Sequence, residues 1–221
     1  MRRLFDQSQF FWLTLALVLL IVSGAITREF EGGLALRLLQ GSSVVLLALS
    51  LLSLRARRRW MAWLIGLIGL MLVSAALRGA TDSDLFDTSF LLLMAAFLLV
   101  AAWLVAEQVL LTGSVDLNTV VGSIALYLLI GQVFAIVYTV LLEYSPTALS
   151  GIMPGPWYHL LSQANYFSLV TLATTGYGDI HPQAPLAQAI AAIEGVIGVF
   201  YMALVVASLV GAFLGRRRAQ Q

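Results

Sequence analysis

Six long apolar runs, separated by short polar stretches, constrain this chain more than any single residue does. They are Phe10–Ile26, Leu34–Leu54, Trp60–Leu77, Phe86–Leu111, Val120–Leu142 and Leu186–Leu214. A bilayer core about 30 Å thick takes roughly 20 apolar residues per helix. No water is available there for N–H and C=O groups, so runs of this kind cross as helices. Of the 221 residues, 61% are apolar and 10% charged, against about 25% charged in a water-soluble domain. Lipid is therefore the solvent for most of the chain. A seventh stretch, Ser162–Thr174, is too short to cross and carries several hydroxyls. It reads as a re-entrant helix, since irregular backbone at membrane depth survives only where protein or water lines it. The expected fold class is an all-α membrane protein with six transmembrane helices and one re-entrant helix.

Arginine placement orients the spans. All 12 basic residues are Arg. Arg2 and Arg3 precede the first run, Arg55, Arg57, Arg58 and Arg59 separate the second from the third, and Arg216, Arg217 and Arg218 follow the sixth. With both termini cytoplasmic, these nine lie inside. The outside holds Arg28, Arg37 and Arg78 beside the acids Glu29, Glu31, Asp82, Asp84, Asp87, Glu143 and Asp179. The expected location is a cell membrane, the inner membrane of a bacterium, crossed several times. The first run also fits a signal peptide, with two arginines, an apolar core and the small residues Ser23, Gly24 and Ala25. Its length, and the lack of a clear cleavage pattern, favour a retained span. The inner arginines at 55, 57, 58, 59, 216, 217 and 218 are topology determinants, with anionic lipid headgroups as a second role.

Several kinds of chemistry are excluded. Cysteine is absent, which removes disulfides, thiolate metal sites and Cys nucleophiles. His159 and His181 are too few and too far apart for a metal site. There is no phosphate loop, dinucleotide fingerprint or basic stretch interleaved with aromatics. No nucleophile, base and metal gather at one place, so an enzyme is not expected.

Between the re-entrant stretch and the sixth run lies Thr174-Thr175-Gly176-Tyr177-Gly178-Asp179. Glycine reaches positive φ at no steric cost. Alternating Gly176 and Gly178 with Thr175 and Tyr177 lets successive carbonyls face one axis, and the Thr174 hydroxyl adds a ring of oxygens below them. This is the pattern of a potassium selectivity filter, where backbone carbonyls replace the ion's water shell. Around it lie Val121–Gly131, Tyr166–Ala173, Ile180-His181-Pro182 and Glu194–Tyr201. On these residues the chain from about Thr112 resembles the pore module of potassium channels, the bacterial ion-channel family with a two-helix pore.

The resemblance implies roles. Val120–Leu142 is similar to the outer helix, Ser162–Thr174 to the pore helix and Leu186–Leu214 to the cavity-lining inner helix. K⁺, the permeant ion, would lie at Thr174, Thr175, Gly176 and Tyr177, and no cofactor is implied. One loop supplies a single oxygen per layer, so four copies around a shared axis are expected, a cyclic homotetramer. Asp179 either adds negative charge at the mouth or is a brace bonded to Tyr166 or a backbone amide; the two roles are compatible. Two departures stand out. Thr175 replaces the Val or Ile of many potassium channels, which opens the alternative of a weakly selective cation channel. Val170 stands where some relatives carry a Glu that bonds the filter aspartate. A non-conducting structural or regulatory membrane subunit is a further alternative.

Two regions follow, 1–113 with four spans and 114–221 with the pore. Four spans before a two-helix pore match the layout of voltage-gated channels, yet Phe86–Leu111 holds no Arg or Lys, and its charges are the acids Asp87 and Glu107. It lacks the gating charges of a voltage sensor. Residues 1–113 are then either a lipid-facing scaffold or a regulatory module. Gly198 is a candidate hinge, or, with Gly195, a small residue permitting close packing. Glu194 lies one turn before it. A carboxylate in an apolar helix is costly and faces protein or water. It either couples the inner helix to the filter through Ser168 or Thr171, or is a protonated acid that only locks packing. His181 is placed to titrate at the outer mouth, or is inert and solvated.

Overall fold

The structure, a computed structural model, describes residues 9–29, 58–81, 84–110 and 117–219. The second expected span, Leu34–Leu54, lies outside the described residues. So do Arg2, Arg3, Glu31, Arg37, Arg55, Arg57 and Asp82.

The described residues form six helices and one two-stranded ladder. In chain order they are α1 (Gln9–Glu29), α2 (Arg58–Thr81), α3 (Asp84–Leu110), α4 (Leu117–Tyr144), β1 (Leu149–Ser150), α5 (Trp157–Leu172), β2 (His181–Pro182) and α6 (Pro185–Ala219). Three helical segments are long and apolar enough to cross a membrane: Thr88–Val109, Asn118–Tyr144 and Pro185–Val205. The apolar stretches Phe10–Ile26 of α1 and Trp60–Ser74 of α2 are shorter. The chain is thus a largely helical membrane protein, and five of the six apolar runs coincide with helices.

One apolar core joins the first four described helices. Leu13 and Leu17 of α1, Leu64 and Met71 of α2, Leu91, Leu98, Ala101 and Val105 of α3, and Ala125, Leu129 and Ile136 of α4 belong to the same buried cluster. The core is therefore continuous across the division between residues 113 and 114. Helix α4 packs against α1, α3, α5 and α6, which makes it the central post. At Gly122 it lets α1 and α3 approach closely: an added Cβ would fall 2.7 Å from Val109 Cγ2 and 2.9 Å from a Phe10 ring carbon. Polar side chains fasten α1 further. Thr14 Oγ1 lies 3.3 Å from the Val121 carbonyl of α4, and the Ser162 hydroxyl of α5 donates to the Gly24 carbonyl at 2.8 Å.

Helix α5 begins at Trp157, five residues before the expected Ser162. Pro156 sets this boundary. Its fixed φ of −62° with ψ of 158° keeps it extended, and its carbonyl accepts from the N–H groups of His159 and Leu160. The helix stops at Leu172, short of Thr174. Helix α6 starts with Pro185, where a missing N–H costs nothing. Within the single chain it presents Ile193, Val196, Val199, Phe200, Met202 and Leu204 as exposed apolar surface.

Candidate functional site

The end of α5 is built from backbone hydrogen bonds. The N–H of Thr174 donates to the Thr171 carbonyl and that of Thr175 to the Val170 carbonyl, both at 2.9 Å. These are the paired bonds of a Schellman cap, and Thr174 occupies its left-handed position with φ of 55°. Glycine usually takes that position. A β-branched residue there is strained, by about 1–3 kcal/mol, so the surrounding structure fixes a hydroxyl where backbone preference would place Gly.

The left-handed geometry then recurs every second residue. Thr174 (φ 55°), Gly176 (φ 55°) and Gly178 (φ 81°) are positive, while Thr175 and Tyr177 between them are not. Alternation of this kind turns successive carbonyls to a common side. The segment belongs to no helix or ladder, and all residues from Thr174 to Asp179 are exposed in the single chain. Cβ atoms added at Gly176 or Gly178 would meet nothing within 4 Å. The glycines serve conformation here, not tight packing. The α5 C-terminus, carrying roughly half a negative charge from its aligned peptides, leads directly into this row.

Asp179 is braced as well as charged. The Tyr166 hydroxyl of α5 donates to its Oδ2 at 2.7 Å. That bond, with help from backbone N–H groups including that of Ile180, holds the carboxyl below the ordinary carboxylate range. Val170 sits half-buried on the same helix.

The loop between α4 and α5 walls the far end of the segment. β1 pairs antiparallel with β2, Leu149 opposite Pro182 and Ser150 opposite His181. Gly151, at φ of 82°, follows the strand. A Cβ on it would lie 2.0 Å from the Asp179 carbonyl oxygen, so only glycine permits this approach. Gln163 of α5 holds the next stretch, accepting from the Met153 N–H at 2.8 Å and donating to the Met153 carbonyl at 2.9 Å. His181 is exposed, with its Nε2 2.9 Å from Gln183 Nε2. His159 stacks edge-on with Tyr158, and no group of His and acidic side chains suited to a metal occurs among the described residues.

Helix α6 meets the foot of the segment at two points. Glu194, fully buried, is bonded by the Tyr138 hydroxyl of α4 at 2.7 Å and is hydrogen-bonded with the Ser168 hydroxyl of α5. Thr171, the other partner weighed from the sequence, makes no such bond. One turn on, Gly198 is buried, and a Cβ there would lie 2.0 Å from the Leu172 carbonyl oxygen. Gly195 meets nothing within 4 Å. Close packing thus applies to Gly198 alone.

Sequence reasoning reached the Thr174–Asp179 segment, Tyr166, Ser168, Glu194 and Gly198. It missed Tyr138, Gln163 and Gly151. A tyrosine in mid-span is a signal in retrospect, because its hydroxyl requires a partner once buried. Gln163 and Gly151 carry no such signal, since their partners are backbone atoms. Arg58 and Arg59 open α2, and Arg216, Arg217 and Arg218 fall in the last turns of α6; these side chains lie outside the described residues.

Residues 126–214 match the family model described as "Ion channel". The match takes in most of α4 and all of the loop, α5, the Thr174–Asp179 segment and the membrane part of α6. This stretch is similar to an ion channel pore module, and the chain is a membrane protein. The comparisons with curated proteins and with solved structures each give no significant match.

Two outcomes follow from this geometry. Gly198→Ala drives a Cβ into a backbone oxygen that cannot rotate away. Overpacking costs about 1–3 kcal/mol, against a gain of about 1 kcal/mol in helix propensity. A net loss of up to roughly 2 kcal/mol is expected, read as a melting temperature below that of Gly195→Ala. Tyr166→Phe removes the donor that favours ionised Asp179. That bond contributes above the unfolded carboxyl pKa and is lost as pH falls through the folded one. The Asp179 titration midpoint, followed by NMR, is therefore expected to move up towards the ordinary value in the variant.

Proposed function

We propose that the chain is a subunit of a potassium-selective channel that conducts K⁺ passively through a pore of four copies. The observation that carries this reading is the alternation of positive φ at Thr174, Gly176 and Gly178 on an exposed edge of the chain. A row of carbonyls from one chain offers one oxygen per layer, and four rows around an axis replace a hydration shell. A cyclic assembly is the simplest way to bring them together. The apolar surface of α6, including Val196, Val199 and Phe200, supports the same arrangement, since such a patch calls for lipid or another copy.

Each part then has a role. Thr174, Thr175, Gly176 and Tyr177 hold K⁺ in single file, and the α5 C-terminus favours a partly dehydrated cation. Asp179 keeps negative charge at the mouth while Tyr166 fixes its position. Glu194 and Gly198 set α6 against α5 and are the gating residues. The helices before the pore module act as a scaffold, a role supported by the core they share with α4 and by the bond from Ser162 to Gly24. The fourth run carries no Arg or Lys, so it lacks the gating charges of a voltage sensor. The arginine bias supports cytoplasmic termini in a bacterial inner membrane, with anionic lipid headgroups as a second role for Arg55, Arg57, Arg58, Arg59, Arg216, Arg217 and Arg218.

Thr175 favours a second reading, a cation channel of weak selectivity, because it puts a hydroxyl in place of an apolar side chain beside the carbonyl row. Reversal potentials of purified protein in planar bilayers separate the two. With K⁺ on one side and Na⁺ on the other, the selective channel gives a potential near that of K⁺ alone. A reversal potential near zero contradicts selectivity, and absence of any K⁺ flux contradicts conduction.

A further inference from the structure

Ser168 has one hydroxyl proton and two close acceptors. Its Oγ lies 2.8 Å from the Gly131 carbonyl of α4 and within hydrogen-bond distance of Glu194 Oε1. A hydroxyl that donates to Gly131 must accept from Glu194. The second Glu194 oxygen accepts from Tyr138 at 2.7 Å. Both contacts of Ser168 are complete only when Glu194 carries a proton on Oε1.

The surroundings agree. Glu194 is fully buried, and an ionised carboxylate without a countercharge is among the costliest groups to bury. Neither α3, α4 nor α5 contains an Arg or Lys, and α6 has none before Arg216. The titratable groups on the elements packed against it are already engaged or are phenols. Tyr138 donates to it, Tyr127 stacks on Tyr201, Glu143 is bonded by Thr88, Tyr166 is held by Asp179, and His181 contacts Gln183.

We propose that Glu194 is held as a neutral carboxylic acid, its bound proton being the link between α6 and α5. The hydrogen bonds then run as a closed relay: Tyr138 Oη–H to Glu194 Oε2, Glu194 Oε1–H to Ser168 Oγ, and Ser168 Oγ–H to Gly131 O. It starts and ends on α4, two turns apart, and passes through α6 and α5. Three donors meet three acceptors and none is left over. The relay fixes α6 one turn before Gly198, where it backs the Leu172 carbonyl at the foot of the Thr174–Asp179 segment. Any movement of α6 along α5 breaks it. Its consequence for gating rests on the channel reading above, whereas the proton itself does not.

Infrared spectroscopy of the purified protein in lipid at neutral pH reads this proton directly, through the carbonyl stretch of a protonated carboxylic acid. The band is expected in the wild type and lost in Glu194→Gln, whose amide keeps one acceptor for Tyr138 and a donor for Ser168 and so preserves the relay. Ser168→Ala is expected to shift the band to higher frequency by removing its acceptor. A wild type without the band, or a band equal in Glu194→Gln, overturns the inference. A band unmoved in Ser168→Ala overturns the relay. The band is present or absent whether or not K⁺ flows, so failure of this inference is distinct from failure of the channel reading.

Discussion

Backbone at membrane depth has no bulk water to satisfy it, and in the channel reading the Thr174–Asp179 segment presents a row of carbonyls outside any helix or ladder. The rest of the structure serves to hold that row in place. It begins where α5 is stopped by a Schellman cap with Thr174 in the left-handed position. Helices normally close this cap with glycine. Here a strained threonine stands instead, and in the channel reading its hydroxyl lies at the foot of the carbonyl row. Strain of this kind persists only when neighbours over-determine the conformation, and α6 braces the last turns of α5 just before it, Glu194 at Ser168 and Gly198 at Leu172.

Support arrives from both ends. At the foot, the Leu172 carbonyl rests against the bare Cα of Gly198. At the far end, Gly151 rests against the Asp179 carbonyl and Tyr166 holds the Asp179 side chain. Gln163 ties the loop carrying Gly151 back to α5 with a donor and an acceptor on one residue. Each contact involves backbone on at least one side or a hydroxyl of fixed reach. The glycines at 151 and 198 work by absence of a side chain, and those at 176 and 178 by freedom of φ. One residue type thus answers two separate physical demands within a span of fewer than fifty positions.

Much of this was legible in the residues. Apolar length alone gave five of the described helices, because a lipid solvent leaves a long apolar run few alternatives. The alternation of Gly176 and Gly178 with larger residues marked the alternating positive φ, and the isolated acid Glu194 marked a polar contact between helices. Four things were not legible. The start of α5 was misplaced because Pro156 outweighs hydroxyl content in setting a helix boundary. The conformation of Thr174 is a tertiary override of backbone preference, invisible to propensity. The partners of Gly151 and Gln163 are main-chain atoms, which composition cannot report. The shared core of α1, α2, α3 and α4 likewise depends on which faces meet, and uniformly apolar helices carry no such record.

Diffraction from crystals of the assembled protein grown with Tl⁺ in place of K⁺ addresses the carbonyl row most directly, since Tl⁺ scatters anomalously. The account predicts a file of anomalous peaks on a four-fold axis, spaced between the carbonyl oxygens of Thr174, Thr175, Gly176 and Tyr177. An assembly lacking that axis, or an axis with no peaks at those oxygens, contradicts it.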